Sequence, residues 1–369
     1  MREILKALPK GGAFLCPKFL SLGMHSKERL LELDSLRGIA AISVVLFHYT
    51  AGKPPLQNIF TFGCTGVDLF FLISGFVIFL TIQKSKTAKS FLISRFARIY
   101  PAYWVCVTIT AGVFTAWHMA TRQPLTFPGF KDYAINLTML QYYFNVKDID
   151  NVYWTLIYEL LFYLFILLIY IAGGLKKITL IGFVVIASCL LSLLIIKPLY
   201  LDVFKALLHY CPLLVYFPLF IAGITFYQIK FGQKNYTQYT LLAACFVTQG
   251  LFYYDTNKVY YFSQAQYLLI LAIYFGIFVL YSKDLLKFIV NPITLFLGKI
   301  SYSLYVIHNL LGYSILIPLL INFKQLRLNT WVSIFLVTLP VIIILATLIN
   351  RYIEVPANRY IKRKLLANK

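Results

Sequence analysis

The sequence has little charge, and acidic residues are especially scarce. Of its 369 residues only 13% are charged and 13 are Asp or Glu, whereas 60% are hydrophobic. An ordinary soluble domain cannot hide that much apolar surface in one core, so lipid is the expected solvent for most of the chain. The net charge of +21 would suggest nucleic acid in a soluble protein. Here the basic residues lie in short connections between apolar runs, where they set membrane topology.

Cysteine pairs and a secretory leader are also missing. The six cysteines include no CxxC pair, and most fall in apolar segments. This spacing argues against a zinc site or a disulfide framework and predicts small packing residues. The first 30 residues hold no apolar stretch ahead of a cleavage site, so no removable signal peptide is expected. Met24 opens the stretch MHSKERLLELDSLRG. A start at Met24 rather than Met1 is a hypothesis that N-terminal sequencing would test.

What the chain does have is a series of long apolar runs rich in aromatic residues. Its 28 Tyr and 32 Phe suit bilayer interfaces and bundle interiors. We predict an all-α transmembrane bundle, because a span needs about 20 mainly apolar residues. The ten predicted spans are about 36–52, 62–82, 99–119, 152–172, 178–196, 207–229, 238–254, 260–281, 300–322 and 330–350. No repeat or appended soluble domain is visible, so any catalytic machinery must lie within the bundle.

The connections between these spans differ in positive charge. About three quarters of the lysines and arginines fall on the side of the N-terminus, which by the positive-inside rule places both termini in the cytoplasm. We therefore expect a basic tail, a transmembrane domain and a second basic tail, at 1–31, 32–352 and 353–369. The one long external connection, 120–151, carries Asp132, Asp148 and Asp150. It is expected to fold partly over the outer mouth of the bundle.

The first span places two ionisable residues on one helix face. Within RGIAAISVVLFH, Arg37 and His48 are eleven residues apart, which is three turns and roughly 16 Å along a helix axis. An ionisable side chain at membrane depth costs about 3 kcal/mol or more, so both are candidate site residues. The alternatives are that Arg37 extends to the lipid headgroups and that His48 only caps the outer end of the span.

Three further ionisable residues fall inside predicted spans. Asp68, in GVDLFFLISGF, is expected at a depth similar to that of His48. The Asp68 carboxylate could orient the His48 imidazole, or it could only stabilise the N-terminus of its own helix. Glu159, in WTLIYELLFY, lies roughly 10 Å deep and needs a water-filled cavity or a structural hydrogen bond. His308, in GKISYSLYVIH, shares a face with Tyr305 and is expected near mid-bilayer. Two histidines and two acids facing one cavity would make a proton-transfer site, although His308 could simply bond to neighbouring helices.

Two arginines precede the third span. Arg95 and Arg98, in SRFARIYPAYW, are three residues apart, so in a helix they form one surface suited to phosphate oxygens. Lipid phosphates are the alternative ligand. Pro101 fits the first turn of the third span, which would leave both arginines just outside the hydrocarbon.

The C-terminal stretch RYIEVPANRYIKRK holds one acid among several bases. Glu354 lies between Arg351 and Arg359, which predicts an interfacial ion-pair cluster. We expect the tenth span to end at Val355 and Pro356, because the residue before a proline disfavours helix.

Together, LDSLRGIAAISVVLFH, GVDLFFLISGFVI, SRFARIYPAYW, WTLIYELLFY, GKISYSLYVIH and RYIEVPANRY resemble the acyltransferase-3 family of multi-pass membrane O-acyltransferases. The resemblance runs in family order from about Glu32 to Lys364. Its most specific feature is the Arg and His of the first span. The chain is similar to stand-alone members, which lack a soluble esterase-like domain.

The resemblance implies a function and roles for residues. Members move an acyl group, most often acetyl, from cytoplasmic acyl-CoA to a sugar hydroxyl in a surface polysaccharide or lipid-linked glycan. Arg37 and His48 match the family's Arg/His pair, and Arg95 and Arg98 match its Arg-x-x-Arg motif. No permanently bound cofactor or metal is expected; acyl-CoA is the donor substrate and the cell membrane the expected location.

The residues are consistent with a mechanism of this kind. CoA phosphates would dock on the two arginines, and His48 would act as general base on the acceptor hydroxyl or, less simply, as a transient acyl carrier. Asp68 or Glu159 would steady the charge on His48, and Tyr305 or a backbone amide would stabilise the oxyanion.

Two other classes of function remain open at this point. A proton-coupled transporter or flippase also needs buried ionisable residues, but the related halves of such folds are not visible in this sequence. A scaffold without catalytic activity would leave the spacing of Arg95 and Arg98 unexplained. A requirement for acyl-CoA separates the enzyme from both.

Overall fold

The computed structural model describes residues 30–56, 59–122, 129–232, 234–322 and 328–366. These residues form helices and connecting turns and contain no strand. The predicted all-α class is therefore confirmed. In chain order the α-helices are α1 Leu31–Thr50, α2 Gly66–Lys84, α3 Ala88–Ala120, α4 Phe130–Asn136, α5 Trp154–Ile171, α6 Ile178–Leu191, α7 Lys197–Leu199, α8 Leu201–Tyr210, α9 Phe217–Phe231, α10 Tyr236–Leu251, α11 Gln264–Ser282, α12 Pro292–His308, α13 Ile317–Asn322, α14 Leu339–Ile349 and α15 Val355–Leu366.

A helix lies at each of the ten predicted runs, but they do not all qualify as membrane spans by length and composition. Within the described part of the chain seven helical stretches do so: Thr61–Lys84, Ala88–Ala120, Asn151–Ile171, Gly174–Leu199, Gln264–Ser282, Pro292–Ile321 and Val332–Leu366. The protein is thus a multi-pass membrane protein. Helix α1 carries several charges, and α9 and α10 are 15 and 16 residues long. The count of ten and the cytoplasmic termini stay predictions, and most of the predicted tail 1–31 and Cys16 lie outside the described residues.

The third predicted span begins well before the expected residue. Helix α3 starts at Ala88, where the Thr87 hydroxyl accepts a hydrogen bond from the Ser90 amide at 3.1 Å. Pro101 consequently lies inside the helix rather than in its first turn. Counting apolar residues finds only the lipid-buried part of a helix, whereas a capping residue sets where it begins. Arg95 and Arg98 are helical, as their predicted shared surface requires.

The expected helix end at Val355 and Pro356 was wrong. A π-helical turn, Asn350–Glu354, joins α14 to α15, and the chain continues as helix to Leu366. Proline is tolerated in a first helical turn, and the wider π turn changes which amides and carbonyls pair just before it. Pro356 is the second residue of α15, so its missing N–H is accommodated.

Close packing between helices brings the two halves of the candidate site together. Helix α1 packs most extensively against α12, and α2 against α9. A Cβ at Gly298 would lie 2.0 Å from the Asp34 carbonyl oxygen, and one at Gly38 would lie 2.5 Å from the Gly298 amide nitrogen. Small residues allow helix backbones this close in a membrane. The contact aligns the far ends of α1 and α12, where His48 and His308 lie.

Candidate active site

Two histidines, His48 and His308, meet at the ends of α1 and α12. The Nε2 atom of His308 lies 3.1 Å from Nδ1 of His48, and their ring centroids are 5.1 Å apart. His308 is fully buried, whereas His48 is half-buried and lines a large cavity. The structure thus brings these two histidines into contact. We call this pair the histidine dyad and this end of the bundle the His48 end.

The partners of the dyad assign its hydrogens. Nδ1 of His308 lies 2.7 Å from the Tyr305 carbonyl oxygen, which can only accept, so Nδ1 carries the hydrogen and Nε2 a lone pair. Nδ1 of His48 then faces two acceptors, His308 Nε2 and the Val44 carbonyl at 3.0 Å. It must therefore be the donor. In the neutral dyad, Nε2 of His48 keeps a lone pair and is the atom able to take a proton from a molecule in the cavity.

An irregular helical segment holds His308 in place. A π-helical stretch, Asn309–Leu316, follows α12 directly. The Tyr49 hydroxyl donates a hydrogen bond to the His308 carbonyl at 3.0 Å. A Cβ atom on residue 312 would lie only 2.0 Å from this hydroxyl oxygen. Such π segments are often found at functional sites. A glycine is therefore required beneath the tyrosine that fixes the backbone of His308.

Asp150, in the long connection before α5, accepts hydrogen bonds from the π-helical segment Asn309–Leu316. Its carboxylate accepts from Asn309 Nδ2 and the Leu310 amide, both at 2.8 Å, and from the Val152 amide at 3.3 Å. Burial raises the pKa of Asp150 to about 6, and the three N–H donors oppose that rise. The carboxylate is thus mostly ionised at neutral pH. It ties the connection to the residues directly after His308.

The cavity at the His48 end has a volume of about 1200 Å³. Residues 141–151 of the long connection form part of its wall, together with residues near the ends of α1, α9 and the π segment. Several aromatic rings and amide side chains line it, namely Phe47, Tyr142, Trp154, Tyr158, Tyr216, Tyr261, Tyr313, Gln141, Asn145, Asn151, Asn257 and Asn309. Ring faces and amides are the groups that suit a polyhydroxylated ligand, because one covers C–H surfaces and the other bonds hydroxyls.

A second, smaller cavity holds two of the other predicted residues. Arg37 and Glu159 both line this space of about 60 Å³, as does Tyr305, whose ring centroid lies 5.8 Å from that of His308. The Tyr163 hydroxyl donates to Glu159 at 2.6 Å. Arg37 and His48 therefore face different cavities although they share a helix. Glu159 is in reach of Arg37 rather than of the dyad.

Asp68 does not support the dyad as expected. It is fully buried and its Oδ1 lies 3.4 Å from the ammonium group of Lys258, which is also buried. No hydrogen bond joins Asp68 to His48 among the described residues. Removing two charges from water is costly unless they pair, and Lys258 supplies that pairing from the segment Asn257–Tyr260. The partner of His48 is His308, not a carboxylate.

Tyr305, the expected oxyanion donor, already has partners. Its hydroxyl lies 2.8 Å from the Thr155 hydroxyl and 3.3 Å from the Val152 carbonyl. Tyr305 borders the small cavity and touches the dyad, so it stands between the two spaces. Its oxyanion role stays a prediction that would require the hydroxyl to change partner.

The arginine pair of α3 divides into one paired and one unpaired residue. Arg98 forms an ion pair with Glu354, whose other oxygen accepts from Ser303 at 2.7 Å and Asn350 at 3.0 Å. The predicted ion-pair cluster was therefore wrong about the partners of Glu354, because among the described residues its cation is Arg98 of α3 rather than Arg351 or Arg359. Arg95 forms no ion pair in the described structure; its guanidinium lies 5.8 Å from the centre of the Tyr163 ring. We call this region the Arg98 end.

Sequence reasoning missed three residues that shape the site. Tyr49 and Asp150 position the backbone around His308, and Lys258 neutralises Asp68. Tyr49 is one of 28 tyrosines, and nothing in its spacing distinguishes it. The sequence pattern shows Asp150 only as part of a connection, although a carboxylate directly before a span is a usable signal of a positioning residue.

Comparison with known proteins supplies the family. The sequence profile of the acyltransferase-3 family, described as an acyltransferase domain, matches residues 30–351. A protein of Acidianus two-tailed virus, provisionally named an acetyltransferase, is 25% identical over 76% of this chain and 82% of its own length. Nodulation protein 10 of Rhizobium leguminosarum is 29% identical over 38% of this chain and 44% of its own. A Staphylococcus aureus protein, provisionally named an O-acetyltransferase, is 25% identical over 90% of this chain and 58% of its own.

No solved structure matches this chain. The chain spans most of the viral relative but only about half of the rhizobial and staphylococcal ones. The profile match covers most of the chain, including both histidines, Arg37, Asp68, the arginine pair and Glu159. The protein therefore belongs to the acyltransferase-3 family of multi-pass membrane acyltransferases.

Proposed function

We propose that this protein moves an acyl group, most simply acetyl, from acyl-CoA to a hydroxyl of a sugar in a surface polysaccharide or lipid-linked glycan. The observation that carries the proposal is the histidine dyad, whose free Nε2 lone pair belongs to a residue lining a cavity of about 1200 Å³ with aromatic and amide walls. The names of the relatives, which include O-acetyltransferase and an exopolysaccharide production protein of Rhizobium meliloti, support it.

In this proposal His48 is the general base. Its Nε2 takes the proton of the sugar hydroxyl as the oxygen attacks the thioester carbonyl carbon. The tetrahedral intermediate then collapses, the C–S bond breaks, and the imidazolium returns the proton to the leaving sulfur to give an ester and free CoA. While protonated, His48 shares its Nδ1–H with two acceptors, the Val44 carbonyl and His308. That sharing stabilises the imidazolium without a carboxylate.

The donor would approach from the opposite end. CoA carries several phosphates, and the Arg98 end holds Arg95 and Arg98. By the positive-inside expectation this end faces the cytoplasm, where acyl-CoA is found. An extended pantetheine arm of roughly 15–20 Å could pass the small cavity beside Arg37, Glu159 and Tyr305 and bring the thioester to the dyad. The acceptor would then enter the large cavity from the outer face of the cell membrane.

The test is transfer of label from acetyl-CoA into total surface glycan at matched membrane levels of each variant. The native chain should transfer label, and His48→Ala should not. His118→Ala is the matched control, because the His118 Nδ1 lies 3.0 Å from the Phe114 carbonyl, as the His48 Nδ1 does from Val44, but His118 has no histidine partner among the described residues. Absence of label with the native chain would overturn the proposal and favour the alternative of a transporter or flippase. Equal loss in His118→Ala and His48→Ala would deny His48 a specific role.

A further inference from the structure

Helix α15 lies against α3 at the Arg98 end and adds a third cation there. The Asn358 side chain donates to the Ala97 carbonyl at 3.1 Å, and Glu354, just before α15, forms the ion pair with Arg98. These two contacts hold α15 beside the start of α3. Lys362, two turns into α15, is half-buried and lies one helical turn after Asn358, so it is on the helix face that contacts α3 near Arg95 and Arg98. We call Arg95, Arg98 and Lys362 the cation cluster.

The cation cluster is only partly neutralised. Glu354 is committed to Arg98 and is further satisfied by Ser303 and Asn350. Arg95 and Lys362 form no ion pair within the described ranges, and the Arg95 Nε is buried without a hydrogen-bond partner. Three like charges held together in a partly buried place repel one another unless an anion joins them. Among the described residues, one carboxylate therefore pairs with the three cations of the cluster, and Arg95 keeps an unused guanidinium donor.

We infer that Arg95 and Lys362 together bind the terminal phosphate monoester of the acyl donor, whereas Arg98 anchors α15 to α3. The inference rests on the proposed function and specifies its donor site. A phosphate monoester carries a charge of about −1.5 to −2, which matches two cations, and offers three oxygens that a guanidinium and an ammonium can reach from two helices. In CoA that group is the 3′-phosphate, since each pyrophosphate phosphorus carries a single charge.

This assignment separates the two arginines that the sequence presents as equivalent. Arg98 donates to a carboxylate inside the protein, so a ligand would have to compete with Glu354 for it. Arg95 has only the Tyr163 ring and a long contact of 3.5 Å to Ser94 Oγ. Lys362, which no motif marks, takes the place of the second arginine in binding the ligand. Correct placement of Lys362 depends on the helix continuing past Pro356.

The experiment measures binding of CoA and of 3′-dephospho-CoA to the purified full-length chain in nanodiscs of neutral lipid. The native chain should bind CoA about tenfold or more tightly than 3′-dephospho-CoA, the usual scale for hydrogen bonds to a charged group. Lys362→Ala should weaken CoA about tenfold and leave 3′-dephospho-CoA nearly unchanged. Lys362→Arg should restore the preference, because the charge is kept.

Lys364→Ala is the matched control on the same helix. Lys364 is exposed, and its ammonium group lies over the Tyr360 ring and 3.4 Å from that hydroxyl. This variant should bind both ligands as the native chain does. Equal weakening of both ligands by Lys362→Ala, or no weakening of either, would overturn the inference while leaving the proposed function in place. A native chain that binds neither ligand would overturn the proposed function itself.

Anionic lipid is the other source of a phosphate group. Repeating the measurement in nanodiscs that contain phosphatidylglycerol separates the two. A donor site should keep its preference for CoA over 3′-dephospho-CoA in both lipids. If phosphatidylglycerol abolishes that preference in the native chain and Lys362→Ala has no effect in its presence, the cluster is a lipid headgroup site and the inference is wrong.

Discussion

The two ends of the bundle differ in the charge of their buried polar groups and in the size of their cavities. At the His48 end the polar groups facing the cavity of about 1200 Å³ are mainly neutral, and the dyad is joined by one hydrogen bond of 3.1 Å. Toward the Arg98 end the cavity is only about 60 Å³ and is lined by the charged groups of Arg37 and Glu159, and Arg98 forms an ion pair with the buried Glu354. Neutral groups can exchange protons and partners easily, whereas buried ion pairs are costly to break.

The difference indicates a division of labour. The His48 end has room for a bulky ligand and a base with a free lone pair, which suits chemistry on a hydroxyl. The Arg98 end has excess positive charge and only a small cavity. This suits a donor whose phosphates bind at the surface of the bundle while its narrow pantetheine arm enters. Damage at the His48 end should therefore affect the chemical step, whereas damage at the Arg98 end should affect donor binding or folding.

The largest effect is expected at the dyad. His48→Ala removes the base and should lower kcat by about 10²- to 10⁴-fold. Single-turnover rates with purified protein and labelled acetyl-CoA would measure it. His308→Ala removes one of the two acceptors of the His48 Nδ1–H and should cost about tenfold, as for a single hydrogen bond. A His308 variant as inactive as His48→Ala would show that His308 itself takes part in the chemistry.

At the other end, Arg98→Ala should act on stability before it acts on binding. Glu354 would be left buried without its cation, which costs about 3 to 5 kcal/mol. Unfolding of the purified protein in detergent should therefore occur at a markedly lower temperature. The double variant Arg98→Met with Glu354→Gln should recover most of the lost stability, because no unpaired charge remains. If stability is not recovered, an unpaired Glu354 is not the cause of the loss in Arg98→Ala.

Asp150→Asn tests whether the long connection positions the dyad. An amide replaces one accepting oxygen with a donor, which then faces the donor of either Asn309 or Leu310, so kcat should fall about tenfold with little change in the KM for acetyl-CoA. Asp150 has a pKa of about 6, so in the native chain this support weakens as pH falls below 6. The ratio of native to variant kcat should therefore shrink between pH 7.5 and 5.5. A constant ratio would contradict an ionised Asp150 as the support.

The smallest effect is expected for the aromatic wall of the large cavity. Trp154 lines the cavity and is half-buried, so part of its ring is open to a sugar. Trp154→Leu should raise the KM for the acceptor about three- to tenfold, since one ring contact is worth about 1 kcal/mol. The KM for acetyl-CoA should not change. Trp104→Leu, an exposed tryptophan that lies elsewhere, is the control.

The sequence predicted the all-α class, a helix at each apolar run and three of the ionisable residues that line the cavities, Arg37, His48 and Glu159. These follow from composition and from the cost of burying charge, which are properties of each segment alone. Pairing between distant segments could not be predicted. Asp68 was expected beside His48 because their depths agree, but depth does not fix which neighbour a side chain faces, and the partner is Lys258.

Helix boundaries failed where local rules competed. Thr87 caps the start of α3, so this helix begins thirteen residues before Pro101. The π turn Asn350–Glu354 allows the helix to continue through Pro356. A π turn leaves no clear signature in a single sequence. Both misplaced boundaries bear on the donor site, because Arg95, Arg98 and Lys362 all lie on the helix extensions that resulted.

The most direct test of the division of labour compares kcat and the KM for acetyl-CoA in His48→Ala and Arg95→Ala under one set of conditions. We expect His48→Ala to lose kcat with an unchanged KM and Arg95→Ala to raise KM about tenfold with kcat nearly retained. If both variants lose the same parameter to the same degree, the two ends do not divide chemistry from donor binding, and the account of this protein as an acyltransferase with a separate donor end is wrong.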